Sequence, residues 1–311
     1  MKRYSLIFSG IVFFISCFYL YENRDQFFLF RSINILNILC LLFLILAFFF
    51  VTGYTFRLVV NLLNVELTLA ETFGLSILTN FGNYLGPTSP GSIIKAVYLK
   101  AVKGLEYSKF TSVFFASAFL GVFMTGIFGV ILFFSLKIAA TKVSMILLAV
   151  CWAFVIVAIV PFVLHIPQIT SQRRIAQMLK LALEGFDAIR NQKMGLMRIG
   201  ISYVAQFALS AFIFQSAFYA LGISVSYEQA LAVGVYTTIV NFVSITPSNL
   251  GIQEAMIALI FSVLGQSFSV GVMGAALIRV VHLLITFSLT PIFTYLLFKR
   301  KGLSLAGLDK K

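Results

Sequence analysis

Charge is what this 311-residue chain has least of: Asp, Glu, Lys and Arg make up 11% of it, against roughly a quarter in an average soluble protein. Acidic residues are scarcest, 10 against 23 basic ones, for a formal charge of +13. Cysteine occurs three times, at Cys17, Cys40 and Cys151, each within an apolar stretch. That excludes a disulfide scaffold and any metal or redox spacing, and the three read as buried thiols. The two histidines, His165 and His282, are too few for a histidine-based metal centre. HExxH, Walker, GxSxG and CxxC signatures do not occur. No cofactor or metal is therefore expected, nor an ATP-driven pump within this chain, and no catalytic residue is identified. With 6 prolines and 21 glycines in 311 residues, collagen-like and disordered classes are excluded too.

What is there is apolar: 60% hydrophobic residues, 35 of them Phe. Long runs of the length needed to cross a bilayer, about 20 residues, recur along the chain. Strict two-residue alternation, the mark of a transmembrane barrel, does not. The composition predicts an all-α polytopic membrane protein forming one integral membrane domain over 1–311. Full spans are expected at about 5–21, 35–56, 110–134, 143–164, 199–221 and 270–297. Met1-Lys2-Arg3 before the first apolar run resembles a signal peptide, but no small-x-small cleavage site follows, so a retained helix is expected.

Two regions break this template. One, about 67–105, is interrupted at Gly86-Pro87-Thr88-Ser89-Pro90-Gly91, and the other, about 229–265, at Thr246-Pro247-Ser248-Asn249-Leu250-Gly251. Their apolar arms are too short to span, and three of the six prolines lie in the breaks. Read as re-entrant hairpins, they leave 1–4, 57–71, 95–109, 165–198 and 299–311 on the cytoplasmic side, together holding 18 of the 23 basic residues. That satisfies the positive-inside rule with both termini cytoplasmic and 165–198 as a basic cytoplasmic loop. The basic excess then serves topology and anionic lipid rather than nucleic acid.

On this topology the hairpins open from opposite faces. Asn83 through Gly91 and Lys95 parallels Asn241 through Gly251 and Glu254. This is the pattern of an inverted repeat, with candidate halves 35–164 and 199–297, whose broken helices meet near the midplane. Two Gly/Pro kinks in ordinary helices are the alternative. Helix N-termini near Ser92 and Ile252 would offer N–H groups to a phosphate or carboxylate. Glu254 lies inside an apolar run, and Arg279 and His282 share one face of the last span. An intramembrane charge costs about 2.5–3.5 kcal/mol by insertion scales, so pairing of Glu254 with Arg279 is expected, with His282 beside them. Such a cluster either binds a headgroup or locks a hairpin to a helix. Lys95, closest of the basic residues to the first break, is the candidate entrance for an anionic headgroup; the other loop cations read as ordinary anchoring.

The stretches Asn83-Tyr84-Leu85-Gly86-Pro87 through Gly104-Leu105 and Ile245 through Ala255 resemble motifs of the lysylphosphatidylglycerol synthase transmembrane, or flippase-like, family. The resemblance covers nearly the whole chain. Gly251 and Glu254 match its glycine-x-x-glutamate, and Arg279 matches an arginine of a late helix. Where many relatives carry Gly-Glu in the first motif, this chain has Ser92-Ile93, and it ends at Lys311 without the soluble synthase domain. The resemblance implies the translocating half. The expected function is a lipid translocase of the cytoplasmic membrane moving an anionic, aminoacylated or glycosylated headgroup. Its expected partners are an anionic phospholipid or a polyprenyl-phosphate-linked lipid, with a lipid- or glycan-modifying enzyme as companion. The headgroup would meet Glu254, Arg279, His282, Lys95, Asn83, Gly91, Asn249 and Gly251. The alternatives are a scaffold recruiting such an enzyme through the basic loops, and an intramembrane transferase with Glu254 as base.

Overall fold

The computed structural model describes residues 33–86, 90–163, 192–242 and 246–298. The expected span at 5–21, most of the basic loop at 165–198, the chain after 298, and Pro87-Thr88-Ser89 lie outside them. The described residues form helices joined by short turns. They are α1 (Ile35–Asn61), α2 (Leu69–Tyr84), α3 (Gly91–Lys103), α4 (Tyr107–Ser135), α5 (Lys142–Val163), α6 (Lys193–Ala220), α7 (Tyr227–Asn241), α8 (Ile252–Val263) and α9 (Phe268–Leu297). A 3₁₀ turn, Pro247–Asn249, separates α7 from α8.

Five of these, α1, α4, α5, α6 and α9, are long and apolar enough to cross a membrane, and each coincides with an expected span. Their outward faces carry Phe43, Ile131, Ile146, Ile201 and Phe287, all exposed. In water such faces would aggregate; in lipid they are the ordinary surface of a spanning helix. Cys40 stands exposed on α1 rather than buried as expected, because in a membrane protein an apolar stretch also serves the lipid-facing side; Cys151 is buried.

The other four helices run 12 to 16 residues, or about 18–24 Å at 1.5 Å per residue, short of the ~30 Å bilayer core. They pair as α2 with α3 and α7 with α8. Each pair starts with a reciprocal cap. Thr68 Oγ1 accepts from the Glu71 N–H while Glu71 accepts from the Thr68 N–H, and Ser226 and Gln229 repeat the arrangement at α7. Such caps satisfy helix-end donors that lipid could not.

The long helices α1 and α6 pack on one another, α2 lies on α1 and α9, and α7 on α6 and α4. Along α9 the two hairpins arrive from opposite ends. Gly74 of α2 sits against Phe293 and Leu297, Phe81 stacks edge-on to Phe287 at 5.4 Å, and the Tyr84 hydroxyl reaches His282. From the other end, Ala258 of α8 sits against Gly271 and Glu254 pairs with Arg279. Both hairpin tips therefore converge on the middle of a 30-residue helix.

Candidate functional site

The second break is a built turn. Ser248 and Asn249 both take left-handed backbone, φ 48° and 52°, and Gly251 follows at φ 82°. Such a conformation costs a non-glycine residue of order 1 kcal/mol and persists only when its surroundings enforce it. Here Thr246 Oγ1 donates to the Leu250 carbonyl at 2.9 Å, the Asn249 N–H to the Thr246 carbonyl at 3.0 Å, and Asn249 Nδ2 to the Val240 carbonyl at 3.2 Å. Asn249 is buried, with its Oδ1 unpartnered among the described residues. At the start of α8 the Glu254 carboxylate turns back to accept the Gly251 N–H at 2.7 Å. The anion expected at this helix N-terminus is thus supplied by the protein itself.

Arg279 gathers the site. Its Nε donates to Glu254 Oε1 in a direct ion pair. Nη1 donates to the Tyr84 hydroxyl at 3.2 Å and the Ser248 carbonyl at 3.1 Å, and Nη2 to Gln253 Oε1 at 3.0 Å. One guanidinium so ties the tip of the first hairpin, the strained turn and the start of α8 to α9. Its planar fork of donors suits that task better than a lysine ammonium would. His282, one turn on, places Nδ1 3.3 Å from the Tyr84 hydroxyl and its ring edge-on to Phe49.

The first hairpin closes on itself at Gly91, whose N–H donates to Asn83 Oδ1 at 3.1 Å. A Cβ on Gly91 would collide with the Thr79 carbonyl oxygen, so only glycine lets the two arms approach this closely. At the hairpin base, buried Glu71 accepts from the Tyr98 hydroxyl at 2.6 Å and pairs with Lys103 at 3.0 Å, joining the start of α2 to the end of α3.

Between the hairpin tips lies a cavity of about 400 Å³ walled by α1, α2, α4, α6, α7, α8 and α9. Apolar side chains such as Ile45, Phe207 and Ile278 share its wall with Thr52, Asn80, Asn83, Gln206, Thr237 and Asn241. Among the described residues, Glu254 and Arg279 are its only formally charged lining groups, and His282 joins them.

Of the residues singled out in the sequence, Glu254, Arg279, His282, Asn83 and Asn249 meet at this cavity. Gly91 and Gly251 shape the two turns beside it. Lys95 stands apart, its ammonium 4.4 Å above the Phe56 ring and outside the cavity lining. The sequence reading missed Tyr84, Gln253 and Gln206, which look unremarkable inside apolar stretches, and Glu71, whose Thr-x-x-Glu cap was a legible signal.

The family model for the lysylphosphatidylglycerol synthase TM region matches residues 5–289, and the chain belongs to that family. It is a multi-pass membrane protein of a family tied to lipid modification or translocation. No curated protein and no solved structure gives a match.

Proposed function

We propose, from this membership and the site's geometry, that the protein is a lipid translocase whose polar cavity shelters a headgroup while the acyl or prenyl chains stay in lipid. One observation carries the reading: a chamber of about 400 Å³, its largely apolar wall set with amides, hydroxyls and the Glu254–Arg279 pair, stands beside the middle of α9, inside a bundle whose outer faces are apolar. Hydrocarbon cannot hold a polar headgroup at that depth, so such a chamber removes most of the barrier to crossing.

The chamber would open alternately to each face through a rocking of two inverted halves, 35–164 and 199–297. What supports the repeat is that most contacts come in pairs, although α8 packs closely along α9 and α3 only lightly on α4. The packing of α1 on α2 is matched by α6 on α7, α2 on α9 by α7 on α4, and α1 on α9 by α6 on α4. The additional helix α5 has no counterpart among the described residues. The positive-inside pattern supports a cytoplasmic-membrane setting with both termini on the cytoplasmic side. The ion-paired, N–H-bonded Glu254 is poorly placed as a general base, which speaks for transport over transfer chemistry.

The test is movement of fluorescent lipid between leaflets of vesicles holding the purified chain, read by quenching of the outer leaflet. Wild type should equilibrate the leaflets, and Thr52→Trp, which places an indole at the partly buried cavity wall, should stop it in a protein that still unfolds cooperatively. Wild-type vesicles no faster than protein-free ones would overturn the proposal.

A further inference from the structure

We infer that the chamber is built for an uncharged, polyhydroxylated headgroup, a sugar, rather than for a naked phosphate or an ammonium. This rests on the translocase reading above and names its cargo. Charge is the first observation. Among the described residues, the only full charges on the wall, Glu254 and Arg279, neutralise each other, and the α8 N-terminus is occupied by the same carboxylate. An anion or a cation entering the chamber would find no unpaired counter-charge, and a buried charge without a partner is strongly disfavoured. Lys95, the cation expected at the entrance, lies over the Phe56 ring and outside the lining.

Hydrogen-bonding capacity is the second observation. Four of the wall amides use one end on the protein and leave the other. Asn80 and Gln206 donate to the Ser76 carbonyl and Thr55 Oγ1, leaving their carbonyl oxygens as acceptors. Asn83 and Gln253 accept from the Gly91 N–H and Arg279, leaving their NH₂ groups as donors. Asn241 makes neither kind of bond among the described residues. Thr52 and Thr237 send their hydroxyl protons to carbonyls of their own helices, leaving further acceptors. The wall thus interleaves donors and acceptors. A phosphate presents acceptors only and an ammonium donors only, so each would leave half the wall unmatched. A hydroxyl is both at once, and a sugar ring carries several.

The experiment uses the full chain in vesicles of phosphatidylcholine containing equal amounts of glucosyl-diacylglycerol, phosphatidylglycerol and lysyl-phosphatidylglycerol. Lipid retained on the purified protein is read by native mass spectrometry, and fluorescent versions of the same lipids report leaflet exchange. The expected result is glucosyl lipid enriched about tenfold over either charged lipid, the factor that one or two satisfied buried hydrogen bonds supply. Asn83→Leu with Gln206→Leu should erase the enrichment. Asn241→Asp, which keeps the side chain's shape and adds one unpaired negative charge, should turn the preference toward the lysyl lipid.

Equal or greater retention of either charged lipid by wild type would overturn this inference and leave the translocase reading standing. Selective retention of glucosyl lipid with no leaflet exchange of any lipid would keep the sugar site and overturn the translocase reading. No lipid retained above its vesicle fraction would overturn the sugar site.

Discussion

Arg279 offers the most demanding test of the physical account. Replacing it with Met keeps an unbranched side chain of similar length and removes the guanidinium. Glu254, whose side chain is 18% exposed against 13% for Arg279, then keeps only the Gly251 N–H as a bonded partner. Breaking a buried ion pair by deleting one member costs about 3–5 kcal/mol. Some exposure to the cavity lowers that toward about 3 kcal/mol, and the lost bonds to Tyr84 and the Ser248 carbonyl set a floor near 2 kcal/mol. Glu254→Gln alone should cost less, about 1–2 kcal/mol, because Arg279 keeps its bonds to Tyr84, Ser248 and Gln253. The double variant carries no orphan charge, so it should be more stable than the sum of the two losses by about 1–2 kcal/mol. Reversible unfolding in mixed micelles on increasing denaturing detergent measures all four proteins. Strict additivity, or a loss below about 1 kcal/mol for Arg279→Met, would refute the claim that this pair clamps the hairpins to α9.

Gly91→Ala should destabilise by about 1–3 kcal/mol, the range for overpacking, since the new methyl meets the Thr79 carbonyl; thermal unfolding in detergent reads it. Tyr98→Phe removes the 2.6 Å hydrogen bond to buried Glu71 and should cost about 1–3 kcal/mol in the same assay, with Lys103→Met adding to it less than independently. Thr68→Ala loses the cap of α2 and should cost about 1 kcal/mol. In a Cys17→Ser background, a lipid-soluble maleimide should label exposed Cys40 in the folded protein, with buried Cys151 reacting only after unfolding. Equal rates for the two thiols would contradict the placement of α1 at the lipid surface.

Much of the architecture is local physics and could be read from the chain. Hydrocarbon tolerates no unpaired backbone, so an apolar stretch of sufficient length has to be a helix, and five of the expected spans sit where composition put them. Prolines and glycines marked both breaks because they remove donors or permit left-handed backbone, as Gly251 does here. The Glu254–Arg279 pair followed from the cost of an unpaired charge in the membrane.

Tertiary structure decided the rest, because it depends on which helix faces meet rather than on any one stretch. Nothing within 69–84 says that Tyr84 arrives beside His282, or that two hairpins enter from opposite ends of α9 and stop at its middle. Lys95 looked equivalent to a cavity residue by its distance from the break, yet the rotation of α3 puts it over Phe56. The amides of Asn80, Gln206 and Gln253 are silent in sequence, since a polar side chain in an apolar helix can face a neighbour, lipid or a chamber with equal local cost. Only the packing of seven helices around one volume fixes which ends of those amides are used up and which are left facing the cavity.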